Sequence, residues 1–541
     1  MMKAKIAIPF LCLASLAGCK QEDSSDEQER PNILIIYADD LGLGDVSVYG
    51  SEDIQTPHMD SLAEDGARFT NAYATSAMST PSRYSLLTGM YPFRNEEAVI
   101  LSAEDPMCID TQRTTLPDLL GENGYRTGIV GKWHLGLGEH ERGINWNEAI
   151  KPGPLEIGFD RSFILPVTND RVPTVFVDGH HVYNLSPDDD SLKVRYPDES
   201  HHEYQEQQAG KEGSATLQPL VGDLPTGLTH PKLLRYGADT QHAGTIVNGI
   251  SRIGHMAGGQ SAWWDDEQMT RVFADKAKAF MNQEKEKPFF LYLSMHQPHV
   301  PRLPNPEFIG SRDAGLRGDV VVEFDWIVGQ MVQYLKKKGE LDNTLILISS
   351  DNGPVLFDGY HDGALENVDD HKPNDGFSGG KYTAFEAGTR VPTIAHWPGK
   401  IEPGTVSDAL ISQVDVLASL VALTGGQMPE GENLDSENML PALLGESKKG
   451  QDYIVQHSSD GLSLRKGKWK YIEAGTRSGF AYTRHNRGTQ NSMHIEKPDT
   501  VEYLFNLDQD PKETNNLAEK NPEKLREMRK ILQQVKSKEV K

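Results

Sequence analysis

Four uninterrupted apolar runs, each stopping on polar or charged residues, constrain this chain more than any other feature. Asn32-Ile33-Leu34-Ile35-Ile36-Tyr37 leads into Asp39-Asp40, and Tyr125 to Val130 into Gly131-Lys132-Trp133-His134. Phe289-Phe290-Leu291-Tyr292-Leu293 leads into His296 and His299, and Leu345-Ile346-Leu347-Ile348 into Asp351-Asn352-Gly353. A strand with one wet face alternates apolar and polar residues, so strands without alternation belong to a sheet covered on both faces. Helical spacing fills the intervals. Leu116, Leu119 and Leu120 follow a Thr115 cap and stop at Gly124, while Met269, Val272, Phe273, Ala277 and Phe280 repeat at helical intervals, as do Phe324, Ile327, Val328, Met331 and Leu335. The expected fold is α/β: a large, mostly parallel or mixed sheet sandwiched by helices. Ligands of such sheets bind beyond the carboxyl ends of the strands, where all these polar residues fall. Position alone makes them active-site candidates.

The texture changes after about Gly425. Gly461-Leu462-Ser463-Leu464-Arg465 and Lys468-Trp469-Lys470-Tyr471-Ile472 alternate as antiparallel strands do, and Pro522 to Lys536 reads as a charged amphipathic helix. We expect a catalytic domain over residues 31–430 and a smaller C-terminal α+β subdomain with an antiparallel sheet over 431–541.

The first thirty residues read as a targeting segment. Lys3 and Lys5 precede an apolar stretch from Ile6 to Leu16, too short to span a bilayer, and Leu16-Ala17-Gly18-Cys19 closes it. That tetrapeptide resembles a lipobox, which implies a signal peptide over 1–18, a lipid on Cys19 and an exported, membrane-anchored protein, periplasmic or on the cell surface. A plain signal peptide that happens to contain Cys19 is the alternative. Residues 19–30 are polar and charged, a tether without material for a core. With Cys12 removed and Cys19 acylated, Cys108 stands alone, no intramolecular disulfide forms, and a packed core thiol is the expected role.

The formal net charge of -25 makes the surface acidic. It disfavours nucleic acid or an anionic membrane surface as partner, and any anionic substrate must be caught by a local cluster of cations.

The most specific stretch is Ser79-Thr80-Pro81-Ser82-Arg83-Tyr84-Ser85-Leu86-Leu87-Thr88-Gly89. Read physically it is a helix entry, with Ser79 near the cap, Pro81 in the first turn and Gly89 at the end, so that an anion at Ser79 meets free N–H groups. It closely resembles the signature of the formylglycine-dependent sulfatases of the alkaline phosphatase superfamily, in which a cysteine or serine precedes x-Pro-Ser-Arg and Leu-Thr-Gly follows. Asp39-Asp40, Gly131-Lys132-Trp133-His134-Leu135-Gly136, Pro298-His299, Asp351-Asn352-Gly353, Gly379-Gly380-Lys381 and Phe385-Glu386-Ala387-Gly388-Thr389-Arg390-Val391-Pro392 resemble further landmarks of that family, in the same order. One position departs: Met90 stands where the signature often has arginine, and Arg94 comes later.

The resemblance implies the alkaline-phosphatase-like fold and a sulfate-ester hydrolase in which Ser79 is oxidised to formylglycine (3-oxoalanine). A serine precursor implies a radical-SAM maturating enzyme as partner. Asp39, Asp40, Asp351 and Asn352, with residue 79, would hold a metal; hard oxygen donors favour Ca²⁺, with Mg²⁺ the alternative. Arg83, Lys132 and Lys381 would bind sulfate oxygens, His299 would protonate the departing sugar oxygen, and His134 would assist release of sulfate from residue 79. An unmodified serine, with a single hydroxyl, lacks that exit.

Two rival readings remain beside it. A phosphodiesterase or phosphonate hydrolase on the same scaffold is disfavoured by Lys132, Lys381 and Arg83, which stand where a sulfate would need them; a non-catalytic glycan-binding lipoprotein is disfavoured by the intact acid–base set. Thr168-Asn169-Asp170-Arg171-Val172-Pro173 and Asn248 to Gly254 resemble a branch of bacterial arylsulfatase-like enzymes acting on sulfated sugars. We expect a sulfated saccharide from algal or host polysaccharide, of galactose type, with Asn169, Arg171 and His296 as candidate substrate contacts. His180, His181, His242 and His255 are expected to be surface or packing histidines.

Overall fold

The apolar runs become the middle of one ten-stranded sheet. The computed structural model describes residues 30–139, 144–196, 224–283, 286–311, 314–366, 371–429, 435–459, 461–476 and 501–538. The signal segment, Cys19, nearly all of the tether and the expected 430/431 boundary lie outside the described residues. The strands are β1 (Asn32–Asp39), β2 (Ala67–Phe69), β3 (Arg126–Lys132), β4 (Arg161–Leu165), β5 (Val177–Asp178), β6 (His181–Val182), β7 (Phe289–Pro298), β8 (Thr344–Ser350), β9 (Ile394–His396) and β10 (Thr405–Ser407). They lie in the order β10-β2-β9-β8-β1-β7-β3-β4-β5-β6. The five central strands, β8-β1-β7-β3-β4, are parallel throughout. Antiparallel pairings join β9 to β8 and β2, and β5 to β4 and β6, while β10 runs parallel to β2. The sheet is thus parallel at its centre and mixed at its edges.

Successive side chains of β1 enter opposite cores, as strand geometry requires. Ile33, Ile35 and Tyr37 pack with Leu116, Leu119 and Leu120 of the Leu116–Glu122 helix and with Leu417 and Leu420 of the Val416–Leu423 helix. Leu34, Ile36 and Ala38 pack with Phe273 and Ala277 of the Met269–Met281 helix and with Phe324, Ile327 and Val328 of the Gly315–Lys338 helix. Both faces are covered, and every residue of β3, β7 and β8 is buried. That is the cause of the unbroken apolar runs. Thr115 caps its helix as expected, accepting from the Asp118 N–H. Cys108 is a buried core thiol, pushed up to about 12 by burial.

Near the C-terminus, Ile454–His457, Leu462–Lys466, Trp469–Ile472 and Tyr503–Asn506 form a separate antiparallel sheet. The Pro522–Ser537 helix seats Met528, Leu532 and Val535 on its Leu464, Tyr471 and Leu504. This sheet is bonded into the larger domain beside the Ser79 helix. His457 donates its N–H to the Thr75 carbonyl (2.9 Å), and the Ala77 N–H bonds the His457 carbonyl (2.8 Å). Lys470 Nζ reaches Glu386 Oε1 at 3.1 Å and Glu513 Oε1 at 3.6 Å, and Arg465 Nη1 reaches Glu386 Oε2 at 3.3 Å.

Candidate active site

The carboxyl ends of the central strands bring the predicted residues into one buried cluster. Asp39 ends β1, and Asp40 follows with φ 68°, a left-handed conformation that residues with a side chain seldom adopt. Lys132 ends β3, His299 follows β7, and Asp351-Asn352 follow β8. Gly353 has to be glycine: a Cβ there would stand 1.6 Å from the Ala387 carbonyl oxygen, because the loop packs directly on the Glu386–Thr389 turn.

Ser79 opens the Ser79–Thr88 helix as its first residue, the cap position falling on Met78, and Gly89 closes it in the left-handed conformation at φ 66°. Ser79 Oγ donates to Asp39 Oδ1 (3.1 Å) and lies 3.4 Å from Asn352 Oδ1. Lys132 Nζ stands 3.1 Å from Ser79 Oγ and 2.6 Å from Asp39 Oδ2. Arg83, one turn along the same helix face, donates Nε and Nη2 to Asp351 Oδ2 (3.1 and 2.7 Å). Lys381 Nζ lies 3.0 Å from both Asp40 Oδ2 and Asp358 Oδ2. Asn352 donates Nδ2 to Asp40 Oδ1 (2.7 Å).

The two histidines differ in what holds them. A carbonyl only accepts, so His299 carries its proton on Nδ1, bonded to the Val300 carbonyl (2.6 Å), and Nε2 is left 4.0 Å from Asp40 Oδ2. By the same logic His134 donates Nε2–H to the Leu101 carbonyl (3.1 Å), and its Nδ1 is buried without a hydrogen-bond partner. Burial, with Lys381 next, pushes His299 down to about 4. Burial, with Lys132 next, holds His134 far below the ordinary histidine range.

Burial and the neighbouring Asp351 raise the Asp39 carboxyl, against the pull of Lys132. Burial pushes Asp351 the same way, but Arg83 and Lys132 overcome it and hold that carboxyl low. The residues fit a hard divalent cation by donor type, since Asp39, Asp40, Asp351 and Asn352 offer only side-chain oxygens for it. Charge is not the compelling reason: Asp39, Asp40 and Asp351 already stand within 3.0 Å of Lys132, Lys381 and Arg83 respectively. Asp39, Asp40 and His299 also form the one group of three potential ligating side chains, within 4.8 Å of one another, among the described residues.

The sulfatase family model matches residues 31–426. The chain belongs to the sulfatase family.

This sulfatase is 44% identical over 530 residues to the N-acetylgalactosamine-6-O-sulfatase of Bacteroides thetaiotaomicron, covering 97% of each chain. It is 31% identical over 451 residues to the steryl-sulfatase of Rattus norvegicus, covering 79% of this chain and 72% of that one. A solved structure from the metabolism of multiple glycosaminoglycans by B. thetaiotaomicron superposes with TM-score 0.85 at 44% identity, over 94% of this chain and 100% of that one. The sulfatase is therefore a sulfuric ester hydrolase, of a family that generally works with a formylglycine and a divalent metal. The phosphodiesterase and binding-lipoprotein readings give way to it.

Of the candidate substrate contacts, Arg171 donates Nη1 to Asp170 Oδ1 (3.0 Å), and Asn169 donates Nδ2 to the Pro301 carbonyl (3.1 Å) while its Oδ1 is buried without a partner. His296 sets its ring edge-on to Phe273, centroids 5.9 Å apart. Two neighbours escaped the sequence reading. Asp358, which bonds both Lys381 Nζ and Tyr382 Oη (2.8 Å), sits in a loop with no motif to flag it. His242, expected to be a surface or packing histidine, is buried between Asp239 (2.8 Å) and Asp170 (3.4 Å). Burial opposes its charge, but Asp239 and then Asp170 prevail and raise it to about 9.

Proposed function

We propose that this sulfatase removes a 6-O-sulfate from a galactose-type sugar, N-acetylgalactosamine or galactose, released from a sulfated polysaccharide. The observation that carries the reading is the set of three buried cations, Arg83, Lys132 and Lys381, paired with Asp351, Asp39 and Asp40 in the cluster where Ser79 Oγ meets Lys132 and Asp39. The sugar is supported by the 44% identity, nearly end to end, to an N-acetylgalactosamine-6-O-sulfatase.

We assign Ser79 as the residue converted to formylglycine, and Asp39, Asp40, Asp351 and Asn352 as ligands of calcium, for which their oxygen donors are suited. When present, the aldehyde hydrate supplies the attacking oxygen and the cation supplies Lewis-acid polarisation. Lys132, 3.1 Å from Ser79 Oγ, and Lys381 face the sulfate as fixed charges. Arg83, expected beside them on the sulfate, is buried with Nε and Nη2 on Asp351 and Nη1 on Tyr292 and Ser294, so we assign it the holding of Asp351 and a contribution to the field instead. Their fields need no rearrangement during the reaction. His299 points Nε2 into the site because Val300 holds Nδ1. Its low affinity for a proton leaves it neutral in the empty pocket; an arriving sulfate, being anionic, raises that affinity and equips the ring to protonate the sugar oxygen. His134, with Nδ1 open and Nε2 fixed, is suited to take a proton in the release step. Asn169 and Arg171, from the 168–173 segment, contact the sugar.

Two further proposals concern processing. A serine at position 79 supports maturation by a radical-SAM enzyme, and the Leu16-Ala17-Gly18-Cys19 tetrapeptide supports export and lipid anchoring at Cys19. The decisive experiment expresses the chain with and without such a maturase and compares 6-O-sulfated with 4-O-sulfated N-acetylgalactosamine. Activity on the 6-sulfate only, together with loss of two mass units on the Ser79 peptide, is expected. Full activity with intact serine at 79 refutes the nucleophile, and preference for the 4-sulfate refutes the substrate.

A further inference from the structure

Two buried arginines that belong to none of the roles above tie the loops of the site together. Arg302 lies three residues beyond His299, and Arg317 lies in the first turn of the Gly315–Lys338 helix; both are buried. Each makes four hydrogen bonds, three of Arg302's and two of Arg317's to main-chain carbonyls at the ends of β1 and β7 or in the loop that follows β8. Arg302 bonds the Pro298 carbonyl through Nε (3.0 Å), the Leu356 carbonyl through Nη1 (3.1 Å) and the Val355 carbonyl through Nη2 (2.9 Å), with Asp362 pairing Nη1 at 2.7 Å. Arg317 bonds the Asp40 carbonyl through Nη2 (3.0 Å) and the Val355 carbonyl through Nη1 (3.0 Å), with Asp45 pairing Nε and Nη2 at 3.0 and 2.6 Å. The two guanidinium groups come from different elements and meet on one acceptor, the Val355 carbonyl.

That carbonyl belongs to the loop running from Asn352 to Asp358, so the pair spans the three loops that bear Asp40, His299 and Asn352. Strand ends leave carbonyls without sheet partners, and a planar five-donor fork can satisfy several at fixed mutual angles, which a lysine ammonium cannot. Asp362 and Asp45 balance the two buried cations.

We infer that Arg302 and Arg317 are paired positioning residues that set the distance between the cation ligands and the proton donor, Arg317 from the Asp40 side and Arg302 from the His299 side. The inference rests on the proposed roles of Asp40 and His299. It predicts a separation of effects that a merely structural role would not produce. Arg317→Lys should weaken calcium binding, and Arg302→Lys should damage the protonation of poor leaving groups.

The test uses the full, matured chain. Calcium chloride is titrated into chelator-stripped protein by calorimetry, and kcat/KM is compared between a sugar 6-sulfate and 4-nitrophenyl sulfate, which needs little protonation. Arg317→Lys should raise the calcium Kd by ~10- to 100-fold, the range seen when outer partners of metal ligands are removed, with the ratio of the two substrates unchanged. Arg302→Lys should lower the sugar-sulfate rate by ~10-fold or more relative to the aryl sulfate, a fraction of what general-acid catalysis contributes, with calcium affinity unchanged. Asp45→Asn and Asp362→Asn, which loosen each arginine without deleting it, should reproduce the same two signatures at smaller size if a lysine variant fails to fold. Parallel losses of both properties, in step with a lowered Tm, or no change in either, overturn the inference. A His299→Ala control that shows no leaving-group dependence refutes the assignment of the acid, while the calcium arm continues to test the pair.

Discussion

Lys470 offers a measurement of how firmly the C-terminal sheet is fastened to the catalytic domain. Its ammonium is fully buried between two buried carboxylates, 3.1 Å from Glu386 and 3.6 Å from Glu513. Glu386 has other partners: the Tyr73 hydroxyl donates to it at 2.6 Å, Arg465 stands at 3.3 Å and Arg390 at 3.4 Å. Burial pushes Glu513 up to about 8, against the pull of Lys470. Near pH 7 Glu513 is therefore mostly protonated, and Lys470→Met costs chiefly the charged hydrogen bond to Glu386, about 2 kcal/mol. Above pH 8 the wild-type Glu513 ionises beside Lys470, whereas in the variant it must stay protonated against the solvent, and the gap widens by about 1.4 kcal/mol per pH unit. At pH 9 the loss should reach roughly 3–4 kcal/mol, the hydrogen-bond loss plus one pH unit of holding Glu513 protonated. The sign for the wild type follows from the same group. A carboxyl raised in the folded state contributes stability that is whole below its ordinary range and is lost as the pH climbs through about 8. Equilibrium urea unfolding at pH 6, 7.5 and 9, followed by tryptophan fluorescence, reads both trends, and adding Glu513→Gln to Lys470→Met should flatten the extra pH dependence. A loss independent of pH, or one below about 0.5 kcal/mol at pH 9, would refute the reasoning.

Replacing Ser79 by Ala should abolish turnover and leave Tm within a few degrees, as differential scanning fluorimetry and a sulfate-release assay will show. Asp351→Ala removes a proposed cation ligand and the partner of Arg83 together, so loss of bound calcium by elemental analysis, loss of activity and a lower Tm are expected; full activity after exhaustive chelation would contradict the site. His299→Ala should cost ~10²-fold or more on a sugar sulfate and far less on an activated aryl sulfate, given the usual size of general-acid catalysis. His134→Ala should slow both substrates alike, and the opposite pattern in steady-state kinetics would exchange the two roles.

Much of this site is legible in one dimension because strands deliver residues to a predictable place. Asp39, Lys132, His299 and Asp351 each end or follow a run buried on both faces, and parallel pairing puts those ends at one edge of the sheet. The helix entry at Ser79 is legible too, since Pro81 and Gly89 mark its two ends in the chain itself. What the sequence could not supply was partnership. Arg83 and Asp351 lie 268 residues apart, and Lys381 and Asp40 341 apart, so nothing local encodes that each carboxylate faces a cation. His242 looked ordinary because Asp170 reaches it from a distant segment and Asp239, three residues before it, is turned onto the ring only by the local loop. Asp358 carried no signal because its partners are the Lys381 ammonium and the Tyr382 hydroxyl, and Arg302 and Arg317 carried none because much of their work is done on main-chain carbonyls. Periodicity and strand order are local properties that solvent exclusion writes into the chain. The pairing of buried charges depends on distances that exist only once the loops beyond β1, β7 and β8 have been folded against one another, and only the tertiary structure decides them.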